Sequence, residues 1–184
     1  MIGTTKNNPI IIKNNFFDDP NLVIKYANSL NYFYANKLNY GNEWPGKRTT
    51  CLSTFNKPMF NYILNKICVN YNDIKLKNAN VFFHKIKNDT KIENGIHIDN
   101  GSDIAGVIYL NEKNDFNTGT TLYIDDKTEL LKIGSIFNTM ISYDSKILHS
   151  PSGYHTKDKE RLTIVFFLEL DKLSKKWYII IMRR

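Results

Sequence analysis

The sequence predicts a mainly β protein with an α+β flavour, a sandwich or jelly roll carrying a helical layer at its amino-terminal end. From Asn80 onward, short runs rich in Val, Ile, Phe, Tyr and Thr recur between clusters of Asn, Asp, Gly and Lys. Strands at such intervals, with no helix between them, pair as neighbours and bury a shared face. Before Asn80, two segments carry apolar residues at helical spacing instead. The chain has 184 residues, enough for one domain with a substantial core and short for two. A single domain over 1–184 is therefore expected, with the helical layer within about 18–72 and the β core over about 80–182.

Taken in order, residues 9–13 read as a short strand of β-branched residues. Asp18-Asp19-Pro20 opens the first helix, with Asp19 as cap and Pro20 in the first turn, where its missing N–H costs nothing. Leu22, Val23, Tyr26, Ala27, Leu30 and Phe33 form its apolar face. A second helix begins at Asn56-Lys57-Pro58 and buries Phe60, Ile63, Leu64, Ile67, Cys68 and Tyr71. Between them, Trp44-Pro45-Gly46-Lys47-Arg48-Thr49 is irregular, either a lid over a cavity mouth or an aromatic loop plugging the core. The strand runs are 81–87, 104–110, 120–124, 135–143, 162–170 and 177–182, and residues 141–148 read as strand, tight turn and return.

Composition narrows the classes. With 42% hydrophobic, 13% aromatic and 23% charged residues, the chain is that of a folded protein and not a disordered tail. No run is apolar for long enough to cross a bilayer, and residues 1–8 lack the apolar core of a secretory signal, so no membrane association and a cytoplasmic location are expected. Cys51 and Cys68, in a loop and a helix, are too few for a disulfide framework and lack zinc-site spacing. The formal charge of +7 is carried by scattered lysines, a pattern that argues against a nucleic-acid partner without excluding one.

The chemistry concentrates in His97-Ile98-Asp99, His149 and Arg161-Leu162-Thr163. In an extended segment, positions 97 and 99 project to one side, so an imidazole and a carboxylate can reach a common point. A third ligand must come from a neighbouring strand. His149 is preferred over His155 because Ile147 and Leu148 place it beside packed sheet, whereas His155 lies among loop residues. Two imidazoles and one carboxylate leave half of an octahedral metal open, which suits a non-haem Fe(II) oxygenase. Arg161 could hold a carboxylate with two parallel hydrogen bonds, and Thr163 lies on the same face as a further donor. The competing reading pairs Arg161 with Glu160 or Asp158 on the surface.

Around these positions the matched pieces run in order: Gly95-Ile96-His97-Ile98-Asp99, Ala105-Gly106-Val107-Ile108-Tyr109-Leu110-Asn111, Gly119-Thr120-Thr121-Leu122-Tyr123, Leu148-His149-Ser150 and Arg161-Leu162-Thr163-Ile164-Val165-Phe166-Phe167. From about 81 to 170 the chain thereby resembles the Fe(II)/2-oxoglutarate-dependent oxygenase superfamily, on its prolyl-hydroxylase-like side. The resemblance implies a double-stranded β-helix with the helices packed on one sheet. It implies Fe(II) held by His97, Asp99 and His149, and 2-oxoglutarate anchored by Arg161 and Thr163. It implies O2-dependent hydroxylation of a prolyl or other residue of a protein or peptide, or of a small molecule, with release of succinate and CO2.

The sequence also departs from the family. Alignment through Tyr109-Leu110-Asn111 leaves Ile108 where many relatives carry a tyrosine that shares the carboxylate, with Tyr109 expected on the other face. His84-Lys85-Ile86-Lys87 stands where another tyrosine is common. The second contact to the cosubstrate stays unassigned among Asn138, Tyr123 and His84. Phe167 occupies the position of the second arginine of nucleic-acid demethylases, which lowers a nucleic-acid-directed oxygenase. The remaining alternatives are a zinc hydrolase on the same ligands and a non-catalytic jelly-roll binding module with a relic metal site.

Overall fold

Alternation along one strand organises the molecule. A computed structural model describes residues 9–35, 44–87, 95–153 and 160–171. Its central strand, Glu160–Leu170, sends Leu162, Ile164, Phe166, Leu168 and Leu170 into a core shared with the helices. Val165 and Phe167 join clusters on the opposite face. A strand buried on both sides needs apolar residues at nearly every position, as this one has.

Among the described residues, twelve elements follow in chain order. They are β1 (Ile11–Lys13), α1 (Pro20–Asn28), β2 (Lys47–Arg48), α2 (Leu52–Phe55), α3 (Lys57–Cys68), β3 (Leu76–Lys87), β4 (Ile104–Tyr109), β5 (Asp115–Tyr123), β6 (Glu129–Ser135), β7 (Thr139–Asp144), β8 (Leu148–Pro151) and β9 (Glu160–Leu170). A six-stranded sheet has the order β1-β7-β4-β9-β3-β2, and a three-stranded sheet the order β6-β5-β8, all pairs antiparallel. The expected mainly β, jelly-roll-like architecture is present.

The helices form as their caps dictate. Asp19 accepts the Leu22 amide at 3.2 Å and Asn56 accepts the Met59 amide at 3.0 Å, each satisfying a donor that the first turn leaves open. Val23, Ala27, Ile63 and Ile67 are fully buried against Phe83, Ile164 and Phe166 on the outer face of the large sheet. Burial of a Val or Ile side chain such as Val23, Ile63 or Ile67 stabilises the fold by about 1.5–3 kcal/mol. The first helix is shorter than its periodicity predicts: it stops at Asn28, leaving Leu30 and Phe33 beyond it, and Leu22 is exposed. Phe33 instead bridges Arg48 through two backbone hydrogen bonds of 2.8 and 2.9 Å.

The predicted strand over 135–143 is two strands. Asn138 has φ +53° and its side chain bonds the Phe17 amide and carbonyl, so the chain turns between β6 and β7. The predicted run 177–182 lies outside the described residues. Among the described residues no helix is long and apolar enough to cross a membrane.

Candidate metal centre and binding cavity

The two sheets face each other across Ala105, Tyr109, Ile141 and Tyr143 on one side and Leu122 and Ile133 on the other. His149 is on β8, paired with Leu122 of β5. His97 lies opposite His149, each amide bonding the other's carbonyl at 2.9–3.0 Å. Two residues on, the Asp99 amide bonds Ser145 O at 2.9 Å, so the segment stays extended and residues 97 and 99 reach the same side. One ligand atom from each of His97, Asp99 and His149 lies within 4.8 Å of the others.

The local chemistry fits a metal ion. His149 Nε2 is 3.2 Å from Asp99 Oδ2, close to the roughly 3 Å between adjacent ligands on an ion bonded at about 2.1 Å. His97 Nδ1 is 3.1 Å from Gly95 O and His149 Nδ1 is 2.9 Å from Ile147 O. A carbonyl only accepts, so both Nδ1 atoms carry the proton and both Nε2 lone pairs are left for a metal. His149 is buried and its ring packs 4.9 Å from that of Tyr143, while His97 is exposed at the mouth. Burial, reinforced by the Asp99 charge, pushes the Tyr143 hydroxyl well up, so it stays protonated beside the cluster.

From this cluster a cavity of about 870 Å³ runs between the sheets. Arg161 is in its wall, only 6% exposed, and donates to Gly119 O at 3.3 Å. Gly119 has φ +142°, and a Cβ there would meet Ile133 O at 2.0 Å, so only glycine can present this carbonyl. Thr163 donates to His84 O at 3.4 Å, and the Tyr109 hydroxyl is 2.7 Å from Thr120 Oγ1. His84 donates from Nε2 to Pro45 O at 2.6 Å. Burial, then the Arg48 and Arg161 charges, hold its pKa well below the usual range, so it is neutral. Arg161 is thus a buried cation in the wall of the same cavity that His97, Asp99 and His149 line.

Comparison with solved structures finds the same fold elsewhere. A Pseudomonas putida prolyl-4-hydroxylase superposes with a TM-score of 0.52 at 13% identity, over 87% of this chain and 91% of that one. A full-length Neurospora crassa protein in complex with alpha-KG aligns with a TM-score of 0.38 at 16% identity, over 65% of this chain and 47% of that one. No protein-family model matches the chain, and no curated protein matches it. The fold of the Pseudomonas putida hydroxylase is thus shared at a distance where sequence alone finds no partner.

The structure brings together His97, Asp99 and His149, and puts Arg161 and Thr163 on the inner face of the same sandwich. His155, the rival ligand, lies outside the described residues. Glu160 is engaged by Lys85 at 3.3 Å, and Arg161 points inward and not to the surface. Three expectations need correction. Tyr109 is on the inner face, paired in register with Thr163, whereas Ile108 is buried under the helices. Asn138 is consumed in holding Phe17, and Tyr123 bonds Ser150 at 2.9 Å without lining the cavity. Of the three suggested second contacts, only His84 lines it. The segment carrying Trp44 and Arg48 is part of the cavity wall, a role the sequence left open.

Proposed function

We propose that this protein is an Fe(II)- and 2-oxoglutarate-dependent dioxygenase on a double-stranded β-helix. The reading rests on the three-ligand cluster, which lines the cavity that also holds the buried Arg161. The strand orders of the two sheets, with the His97–His149 bridge extending the smaller one, support the double-stranded β-helix.

His97, Asp99 and His149 would hold the metal, and the two carbonyl-bound Nδ1 atoms keep the rings oriented. Iron bound there supplies dioxygen activation coupled to oxidative decarboxylation of the keto acid. Arg161 binds the far carboxylate of 2-oxoglutarate, with Thr163 on the same inner face as the further donor. Val107, Val165 and Phe167 line the space between and exclude water. One oxygen atom of O2 enters a substrate C–H bond as hydroxyl, and the other enters succinate as CO2 leaves.

The substrate is proposed to be a prolyl or other residue of a protein or peptide, or a small molecule, acted on in the cytoplasm. Fe(II)-, O2- and 2-oxoglutarate-dependent succinate formation, measured without added substrate, tests the reading. Wild type forms succinate by uncoupled turnover and His149→Ala does not; equal rates in both proteins contradict it.

A further inference from the structure

Arg48 is the charge in the cavity wall that the proposed chemistry does not use. Its backbone is fixed on both sides, paired with His84 of β3 and bridged to Phe33. The turn before it is wedged in place: Gly46 has φ +78°, and a Cβ there would meet Lys85 O at 2.3 Å. Pro45 O receives His84. The guanidinium lies 4.5 Å from the Trp44 ring centroid and 5.9 Å from that of Phe167. Among the described residues no hydrogen-bond partner reaches its buried Nε. Burial lowers its pKa to about 10, with the Asp99 carboxylate the opposing influence. A stacked, rigid fork is preorganised for a bidentate oxyanion.

Charge counting supplies the second reason. Apart from imidazoles, the charged side chains lining the cavity among the described residues are Arg48, Arg161 and Asp99. A dication beside Asp99 leaves one positive charge, Arg161 adds another, and dianionic 2-oxoglutarate cancels both. Among the described lining residues, no further carboxylate is then left to balance Arg48 in a site of low dielectric. We infer that Arg48 anchors a carboxylate or phosphate group of the substrate, so that this cavity takes an anionic substrate whose charged group meets the guanidinium held against Trp44 and Phe167. This inference deepens the dioxygenase reading and rests on it for the identity of the reaction.

The test uses Trp44 as reporter in a Trp177→Phe background, where it is the sole tryptophan. Anaerobic protein loaded with Fe(II) and 2-oxoglutarate is titrated with phosphate and, separately, acetate at low ionic strength, and again without metal or keto acid. A saturable change in emission is expected, with the tighter of the two anions naming the group. Arg48→Gln should weaken it about 10- to 100-fold, the scale of charge-assisted hydrogen bonds. Arg48→Lys should fall between. Calorimetric phosphate titration with both tryptophans retained provides the same comparison without the background substitution. A response that survives Arg48→Gln, the absence of any response to either anion, or a loss of 2-oxoglutarate affinity in Arg48→Gln overturns the inference. Failure of the dioxygenase reading is seen separately, as absence of the keto-acid absorption band in wild type.

Discussion

Replacing Arg161 by Gln separates cosubstrate binding from folding. Arg161 is 6% exposed, and one acceptor it meets, at 3.3 Å, is the neutral Gly119 carbonyl. A carboxylate arriving there gains two charge-assisted hydrogen bonds, each worth about 1.5–3 kcal/mol. Gln removes the charge and the fork, so about 3–5 kcal/mol of binding is lost, the cost of breaking a buried ion pair. Affinity for 2-oxoglutarate should then fall by roughly two to three and a half orders of magnitude. The unliganded fold should lose less than the cosubstrate complex does, because the substitution also removes a cation that burial had desolvated. Anaerobic calorimetry of 2-oxoglutarate binding to the metal-loaded protein reads the first quantity and thermal unfolding without ligand reads the second. Arg161→Lys should be intermediate. A change in affinity below about tenfold, or one matched by an equal loss of stability, refutes the role given to this arginine.

Other consequences are as direct. His97→Ala, Asp99→Ala and His149→Ala should each abolish Fe(II)-dependent succinate formation; turnover retained in His149→Ala but lost in His155→Ala would reassign the third ligand. His84 is held neutral in the folded state, so an unfolded chain binds more protons below its ordinary pKa of about 6.5, and stability falls as pH drops through that value by up to about 1.4 kcal/mol per unit. His84→Gln, which can still donate to Pro45 O, should flatten the acid limb of a denaturation series between about pH 6.5 and 5, and an unchanged slope would show that His84 is not the group responsible. Gly106→Ala would bring a Cβ to 2.2 Å from Phe166 Cζ and 2.6 Å from Ile141 O, and overpacking there should cost about 1–3 kcal/mol. A melting temperature lower by about 3–10 °C is the expected reading, and no change would mean that the sheet and helix layer are looser than described.

How much of this is legible in the sequence depends on the range of the interaction that decides each feature. His97 and Asp99 can be paired because alternation along an extended segment is local. The helix starts at Asp19 and Asn56 are legible for the same reason, a cap and a proline within one turn. Alignment puts Tyr109 on the wrong face because, in a strand, an error of one residue inverts every side chain. Strand β6 is hidden because Glu129, Leu130 and Lys132 are exposed on it and break the apolar run that marks a buried strand. The place of Arg48 in the cavity follows from pairing between β2 and β3, separated by more than thirty residues, and from the fit of Gly46 against Lys85 O. No local pattern carries that information.

The central claim is that iron and 2-oxoglutarate bind together between the His97–Asp99–His149 cluster and Arg161. Anaerobic titration of the Fe(II)-loaded protein with 2-oxoglutarate, followed by the weak visible charge-transfer absorption of a metal-chelated keto acid, tests it most directly. A saturable band in wild type that needs far more ligand in Arg161→Gln, and is absent in His149→Ala, is the predicted result. Iron bound at full occupancy with no band at saturating keto acid would contradict it.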